Sequence, residues 1–247
     1  MMASDAPATS ARMAGTVLSV EALCAGYGRV RIIQGVTLDV KNGEILAIIG
    51  RNGVGKSTFL KTLIGAISPM SGRIGFKDQD ISVMPPSRRA RLGIGYVPQG
   101  RGIFARMSVA DNLLMGERVG GKGVPNYERV FQFFPILKER LGQKAGSLSG
   151  GEQQQLSIGR ILVGHPELIL LDEPSEGIQP NIVQAIGRII RRLRDEAQLT
   201  VVMVEQNLDL IQATADRCIV IDKGLVVAEI SPSDLANSES ARRYLAL

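Results

Sequence analysis

Apolar residues are distributed along the chain in two distinct ways. EILAIIG (44–50), ELILLDE (167–173) and the Thr200–Val204 run TVVMV are almost unbroken, as central strands covered on both faces should be. VLSVEAL (17–23) is rich in β-formers and partly alternates; GVTLDV (35–40) alternates and then meets Asn42-Gly43, a hairpin signal between two strand-like runs. RIGF (73–76), GIGYVP (93–98) and 217–222 read as further strands, and the turn pair Lys223-Gly224 follows. Helical spacing occupies 56–66, 180–197 and 207–214. Alternating strands and helices predict a mostly parallel sheet with helices on both faces.

The pattern changes over roughly 107–164. SVADNLLMGER, NYERVFQFFPILKERL and GEQQQLSIGRILVG all have helical periodicity, and Ser108 with Asp111 forms a plausible capping pair. GGKG (120–123) reads as a loop. The expected organisation is a polar tail over 1–15 and one domain over 16–247. Within it, an α/β core (16–98 and 165–247) carries an inserted helical lobe (99–164).

Composition narrows the classes. With 45% hydrophobic and 21% charged residues, the 247-residue chain is ordinary globular material able to bury a substantial core. The absence of Trp argues against a stacking platform for single-stranded nucleic acid. A net charge of +5 is compatible with a polyanionic partner, an anionic membrane surface, nucleotide phosphates, or simply a solvated surface. Cys24 and Cys218 stand alone, as core thiols of a reducing compartment do. No apolar run approaches the roughly 20 residues that span a bilayer, and MMASDAPATSARMAG lacks the apolar centre of a signal peptide, so a cytoplasmic protein is expected.

GRNGVGKS (50–57) matches G-x-x-x-x-G-K-[ST] at every fixed position, directly after a predicted buried strand and directly before a predicted helix. Gly50, Gly53 and Gly55 let the backbone curl so that N–H groups face inward. The helix N-terminus adds partial positive charge, Lys56 a full one at the β/γ-phosphates, and the Ser57 hydroxyl can ligate Mg²⁺. The whole loop, with Arg51, Asn52, Val54 and Thr58, is expected to hold nucleotide. Such a site also needs a carboxylate for Mg²⁺ and a group that orients water. Asp172, ending LILLD, supplies the first and Glu173 the second.

LSGGEQQQL (148–156), between the phosphate loop and LILLDEP, completes a set that resembles ATP-binding cassette ATPases from about residue 17 to 230. That resemblance implies an α/β fold: a P-loop NTPase core with a mostly parallel sheet, an N-terminal antiparallel β portion and an inserted helical lobe. It implies ATP and Mg²⁺ as ligands. Tyr27 in AGYG resembles the aromatic that stacks on adenine, and Gln99 in YVPQG resembles the glutamine that contacts Mg²⁺ and senses the transmembrane partner. SEGIQP (175–180) resembles the loop that crosses the dimer interface. In this family two cassettes meet head to tail, each ATP lying between one phosphate loop and the other chain's Ser-Gly-Gly. Ser149, Gly150, Gly151 and Glu152 would then complete a second chain's site.

Where the family usually has a histidine contacting the γ-phosphate, this chain has Gln206, in VVMVEQN. A glutamine amide can donate a hydrogen bond to phosphate, but it carries no charge and does not titrate near neutrality. Glu173, Gln206 and Lys56 are the candidate catalytic residues. His165, before Pro166, reads as a surface or turn residue.

VEQN, VPQGRGIF and SEGIQP are similar to the short ATPase subunits of branched-chain amino-acid and amide-type importers. GRNGVGKS, YVPQGR, GGEQQQL and EGIQP are closer to the urea-importer subunit. The implied partners are two transmembrane permeases, a second cassette and, indirectly, a periplasmic solute-binding protein, with the chain peripheral on the inner face of the membrane and no nucleic acid bound. The competing class is a soluble cassette ATPase acting on ribosomes or DNA; those commonly carry two cassettes or a long coiled-coil insert, and no sustained heptads occur here. A lone nucleotide-binding regulator is a third. PSRRARLG (86–93) reads as a solvated helix face, with a lipid- or permease-facing patch as the alternative. RRLRDE (191–196) reads as an exposed helix surface. The phenylalanines of FQFFPIL (131–137) suit either lobe packing or a groove for a permease helix.

Overall fold

A computed structural model describes residues 15–119 and 124–236, so the GGKG loop and nearly all of the expected N-terminal tail lie outside the described residues. The chain runs β1 (Thr16–Tyr27), β2 (Val30–Lys41), β3 (Ile45–Ile49), α1 (Lys56–Ile64), β4 (Ser71–Phe76), β5 (Gln79–Asp80), α2 (Pro86–Arg91) and β6 (Ile94–Val97). It continues through α3 (Val109–Val119), α4 (Tyr127–Phe133), α5 (Pro135–Glu139) and α6 (Gly150–Leu162). The rest is β7 (Leu168–Asp172), α7 (Pro180–Ala197), β8 (Thr200–Val204), α8 (Leu208–Thr214), β9 (Arg217–Asp222) and β10 (Leu225–Ile230).

Two sheets result. One is antiparallel in the order β2-β1-β4-β5; the other has the order β10-β9-β3-β8-β7-β6, parallel except for the β10 edge. The class expected from the sequence, α/β with a mostly parallel sheet and an N-terminal antiparallel portion, is the one observed.

The unbroken apolar strands are explained by what lies on each side of the large sheet. Ile45, Ala47 and Ile49 of β3 point into a core shared with α6, α7 and α8; Leu46 and Ile48 point into a second core built with α1 and the antiparallel sheet. Residues of β7 and β8 alternate in the same way. With both faces covered, no position of β3 tolerates a polar residue, and all five are fully buried. At about 1.5–3 kcal/mol for each large apolar side chain removed from water, these strands anchor the domain.

Three sequence expectations are corrected, and one strand with no counterpart in the sequence reading is added. Asn42-Gly43 makes a turn, Glu44 N–H donating to Lys41 O at 3.2 Å, but not a hairpin: β2 pairs with β1, whereas β3 pairs with β8 and β9. The turn passes the chain from one sheet to the other. NYERVFQFFPILKERL is split, because Pro135 cannot continue α4 and starts α5 instead. The 225–230 segment forms β10, which pairs antiparallel with β9 across the Lys223-Gly224 turn.

PSRRARLG is not simply a solvated face. Arg88 and Arg91 are exposed, but Arg89 is only 1% exposed. Its guanidinium donates to the carbonyls of Thr62 (2.8 Å), Leu63 (2.7 Å), Met84 (2.9 Å) and Ser82 (2.9 Å). It therefore closes the C-terminus of α1, where orphan carbonyls and the helix dipole favour a cation. Gly65, at φ 84°, caps the same end, and a Cβ there would meet Arg89 Nε and Met84 O at 2.8 Å.

Among the described residues, the named elements from Val109 to Leu162 are all helical. Phe133, Phe134 and Leu137 pack in the core between it and the sheet, so two of the phenylalanines serve packing, while Phe131 is half-buried beside them. Ser108 and Asp111 do cap α3, with Asp111 N–H donating to Ser108 Oγ at 3.0 Å. Cys24 and Cys218 are buried and unpaired.

Candidate nucleotide site

β3 leads straight into the glycine loop, and α1 starts at its end. Gly50 (φ 147°), Gly53 (φ 81°) and Gly55 (φ 110°) all hold backbone angles that side chains resist. Gly50 has a second reason to be glycine: a Cβ would sit 2.2 Å from the carbonyl oxygen of Ile221 on β9. The loop is also held from the far end of the chain. Gly224 N–H donates to Val54 O at 3.0 Å, and Gly224 O accepts from Gln34 N–H at 2.8 Å. The amide of Gln34 donates to Lys223 O at 2.8 Å.

Lys56 arches back over the loop, its Nζ donating to Gly50 O (2.7 Å) and Arg51 O (2.9 Å). It is 5% exposed, and burial pushes its pKa down while Glu173, Asp172 and Glu205 pull it back. Asp172, at the C-terminal end of β7, is buried; its Oδ1 accepts from Ser57 Oγ (2.9 Å) and its Oδ2 from the Tyr96 hydroxyl (3.1 Å). Burial, then the charge of Asp172, raises the Tyr96 pKa, so the phenol stays a donor.

Glu173 follows in the left-handed region at φ 51°, its N–H given to Val204 O at 2.9 Å. For a non-glycine residue this geometry is uncommon and concentrates at functional positions. Two amides hold its carboxylate. Gln99 Nε2 donates to Oε2 (3.2 Å) and also to Glu176 Oε1 (3.1 Å). Gln206 Nε2 donates to Oε1 (2.8 Å) and to Asn52 Oδ1 of the glycine loop (2.8 Å). Gln206 thus ties the end of β8 to both the loop and Glu173.

These groups surround a cleft of about 400 Å³ lined by Tyr27, Ile32, Asn52, Gly53, Gly55, Lys56, Ser57, Thr58, Gln99, Glu173 and Glu176. Tyr27 is 54% exposed at its rim, available for stacking. Gly50, Arg51 and Val54 belong to the loop but are not among the residues lining the cleft. Ser149, Gly150, Gly151 and Glu152 stand outside this cleft. Ser149 caps α6: its Oγ accepts from Glu152 N–H at 3.3 Å and its N–H donates to Glu152 Oε2 at 2.8 Å. The Ser-Gly-Gly segment of this chain does not reach this chain's glycine loop.

Tyr96, Ile32, Glu176 and Glu205 belong to the site and were not singled out from the sequence. Tyr96 meets Asp172 because β6 lies beside β7, with Tyr96 in register with Leu170; only the strand order tells that. A second cleft, of about 330 Å³ and more apolar, lies between α2, β6 and the helical segment, lined by Pro86, Ala90, Ile94, Tyr96, Phe104, Met115 and Ile161 among others. The Arg160 guanidinium lies 5.1 Å over Phe104 there, and its Nη1 has no hydrogen-bond partner among the described residues. His165 is exposed and bonds to Val124 O at 2.7 Å.

A parallel sheet whose central strand feeds a glycine loop and helix, with an acidic pair on a neighbouring strand, defines a nucleoside triphosphatase of the phosphate-loop class. The model of the ABC transporter family matches residues 33–176, and the chain belongs to that family. It binds nucleotide and hydrolyses ATP. It is 41% identical over 228 residues to the high-affinity branched-chain amino acid transport ATP-binding protein BraG of Pseudomonas aeruginosa, covering 92% of this chain and 97% of that one. It is 35% identical to the lipopolysaccharide export system ATP-binding protein LptB of Escherichia coli K12 (92% and 95% covered). Among solved structures it is similar to the ADP conformation of MJ1267, an ATP-binding cassette of an ABC transporter, with a TM-score of 0.82, 28% identity, and 94% and 97% of the two chains covered. No helix among the described residues is long and apolar enough to cross a membrane.

Proposed function

We propose that this chain is the ATP-hydrolysing subunit of an importer of the branched-chain amino-acid and amide type, working at the inner face of the membrane beneath two permeases. The observation that carries the chemistry is the Asn52–Gln206–Glu173–Gln99 chain of side chains across the cleft, next to the Ser57–Asp172 pair. Hydrolysis adds water across the terminal phosphoanhydride of ATP, giving ADP and phosphate. Lys56, now resting on two carbonyls, would turn to the β/γ-phosphates, and Tyr27 would stack on the base. Ser57 hydroxyl, Asp172 carboxylate and the Gln99 amide oxygen are hard oxygen donors of the kind Mg²⁺ takes. Bound Mg²⁺ neutralises charge on the phosphate oxygens. Glu173 holds and polarises the attacking water, while the Gln206 amide keeps that carboxylate in place.

Ser149, Gly150, Gly151 and Glu152, which are not among the residues lining this chain's own cleft, support completion of the site on a second cassette. The apolar cleft beside α2 supports docking of a permease element, and Tyr96 borders that cleft while holding Asp172 through its hydroxyl. The resemblance to BraG and to the branched-chain amino acid protein LivF of Archaeoglobus fulgidus supports the importer reading, with branched-chain amino acids, urea or short amides as cargo.

Replacing Glu173 by Gln should lower ATP turnover by about 10²–10⁴-fold, the usual worth of a positioned general base, with ATP binding retained. Gentle solubilisation of native membranes should recover the tagged chain with two polytopic permeases and a second cassette. Titration of their solute-binding protein with leucine, urea and short amides then names the cargo. Recovery with ribosomes or DNA-repair factors instead would sink the transporter reading.

A further inference from the structure

Glu205 plays no part in the roles above, yet its carboxylate is only 2% exposed and lies at the centre of the site's framework. One oxygen, Oε1, accepts two backbone N–H groups, from Gln206 (2.7 Å) and Asn207 (2.9 Å). The other, Oε2, accepts the N–H of Ser175 at 3.2 Å. The first two donors belong to the turn after β8, and the third to the turn after β7 that begins at Glu173. A single buried carboxylate therefore joins two loops that also meet at the Gln206–Glu173 hydrogen bond of 2.8 Å.

The simpler account is helix capping, since Asn207 is the N-cap of α8. It does not cover the geometry. Asn207 already caps α8 with its own side chain, through Leu210 N–H at 3.0 Å, and Ser175 lies outside that helix. Burial raises the carboxyl pKa, against the pull of the three N–H donors and of the Ser175 side chain. A buried acid in an otherwise apolar strand end costs stability unless its bonds matter. We propose that Glu205 is a positioning residue: it fixes the turn after β8 to the turn after β7, so that the Gln206 amide meets Glu173 in the catalytic geometry. The inference rests on Glu173 acting on water, as proposed above.

The test uses the full-length chain with Glu205→Gln, Gln206→Ala, their double variant and Glu173→Gln, measuring kcat, binding of a fluorescent ATP analogue and thermal unfolding. Glutamine keeps the volume but turns an N–H toward one of the backbone donors. The expected result is a fall in kcat of about tenfold for Glu205→Gln with analogue affinity within about twofold, and a double variant no slower than Gln206→Ala alone. A purely structural role would instead give losses that multiply in the double variant or a parallel loss of affinity, and either outcome overturns the proposal. Wild-type kcat in Glu205→Gln overturns it too. Should Glu205→Gln fail to fold, Glu205→Asp keeps the charge but withdraws it by one methylene. The same non-additivity with Gln206→Ala is then required. Normal turnover in Glu173→Gln would refute the proposed function itself, whereas normal turnover in Glu205→Gln beside an inactive Glu173→Gln refutes only the brace.

Discussion

Arg89→Met removes the buried guanidinium while keeping most of the unbranched stem's volume. Four carbonyls lose a donor, those of Ser82, Met84, Thr62 and Leu63. Thr62 O retains Gly65 N–H at 3.1 Å, so its loss is partial. Ser82 and Met84 are half-buried and water can reach them, whereas Leu63 is fully buried. Bonds to a charged donor are each worth about 1.5–3 kcal/mol, and an orphaned buried carbonyl costs about 1–3 kcal/mol. Against this, methionine avoids desolvating a charge, a cost visible in the Arg89 pKa, which burial pushes down to about 10. The balance is a destabilisation of about 3 kcal/mol, a large part of a typical stability of about 5–15 kcal/mol. For a chain of this size it should lower Tm by about 6–12 °C. Arg89→Lys, with three donors in place of five, should lose about half as much. Circular dichroism melts of the three proteins check the order. A Tm for Arg89→Met within about 2 °C of wild type would refute the assignment of Arg89 as the cap of α1.

Gly50→Ala should abolish nucleotide binding and cost at least about 3 kcal/mol, since the new Cβ meets backbone, not a movable side chain; equilibrium denaturation with and without ATP measures both. Gln206 does not titrate near neutrality, and no histidine is among the residues lining the nucleotide cleft, so the wild-type rate should show no inflection near an imidazole pKa of about 6.5. Gln206→His should keep activity and introduce that inflection; loss of turnover at every pH would exclude a simple hydrogen-bonding role for the wild-type amide.

Much of this architecture could be read from the sequence because its signals are local. Unbroken apolar runs marked β3, β7 and β8, whose neighbours cover both faces. GRNGVGKS and LILLDE carried their own context of strand and helix. What stayed hidden depends on partners distant in sequence. The Asn42-Gly43 turn has hairpin chemistry, but the hydrophobic demand of β3 between β8 and β9 outweighs local pairing with β2. Arg89 belongs to a basic run whose composition says solvent, and only the position of α2 over the end of α1 buries it. β10 has residues that suit an edge strand as well as a surface turn, with exposed and half-buried positions alternating. Gln206 was visible as a departure from the family pattern, but its hold on Asn52 and Glu173 follows from the β3–β8 adjacency.

That adjacency also sets a schedule for synthesis. β3 delivers the glycine loop early in the chain, yet both strands beside it, β8 and β9, come after residue 199, and Gly224 supplies the bond to Val54. A nascent polypeptide emerging from the ribosome carries the complete phosphate-binding motif long before it has any means of holding that motif in shape. Competence to take nucleotide therefore arrives late and all at once, when the last strands dock. A translation product truncated before β9 should be silent toward ATP, not a weak or uncontrolled hydrolase.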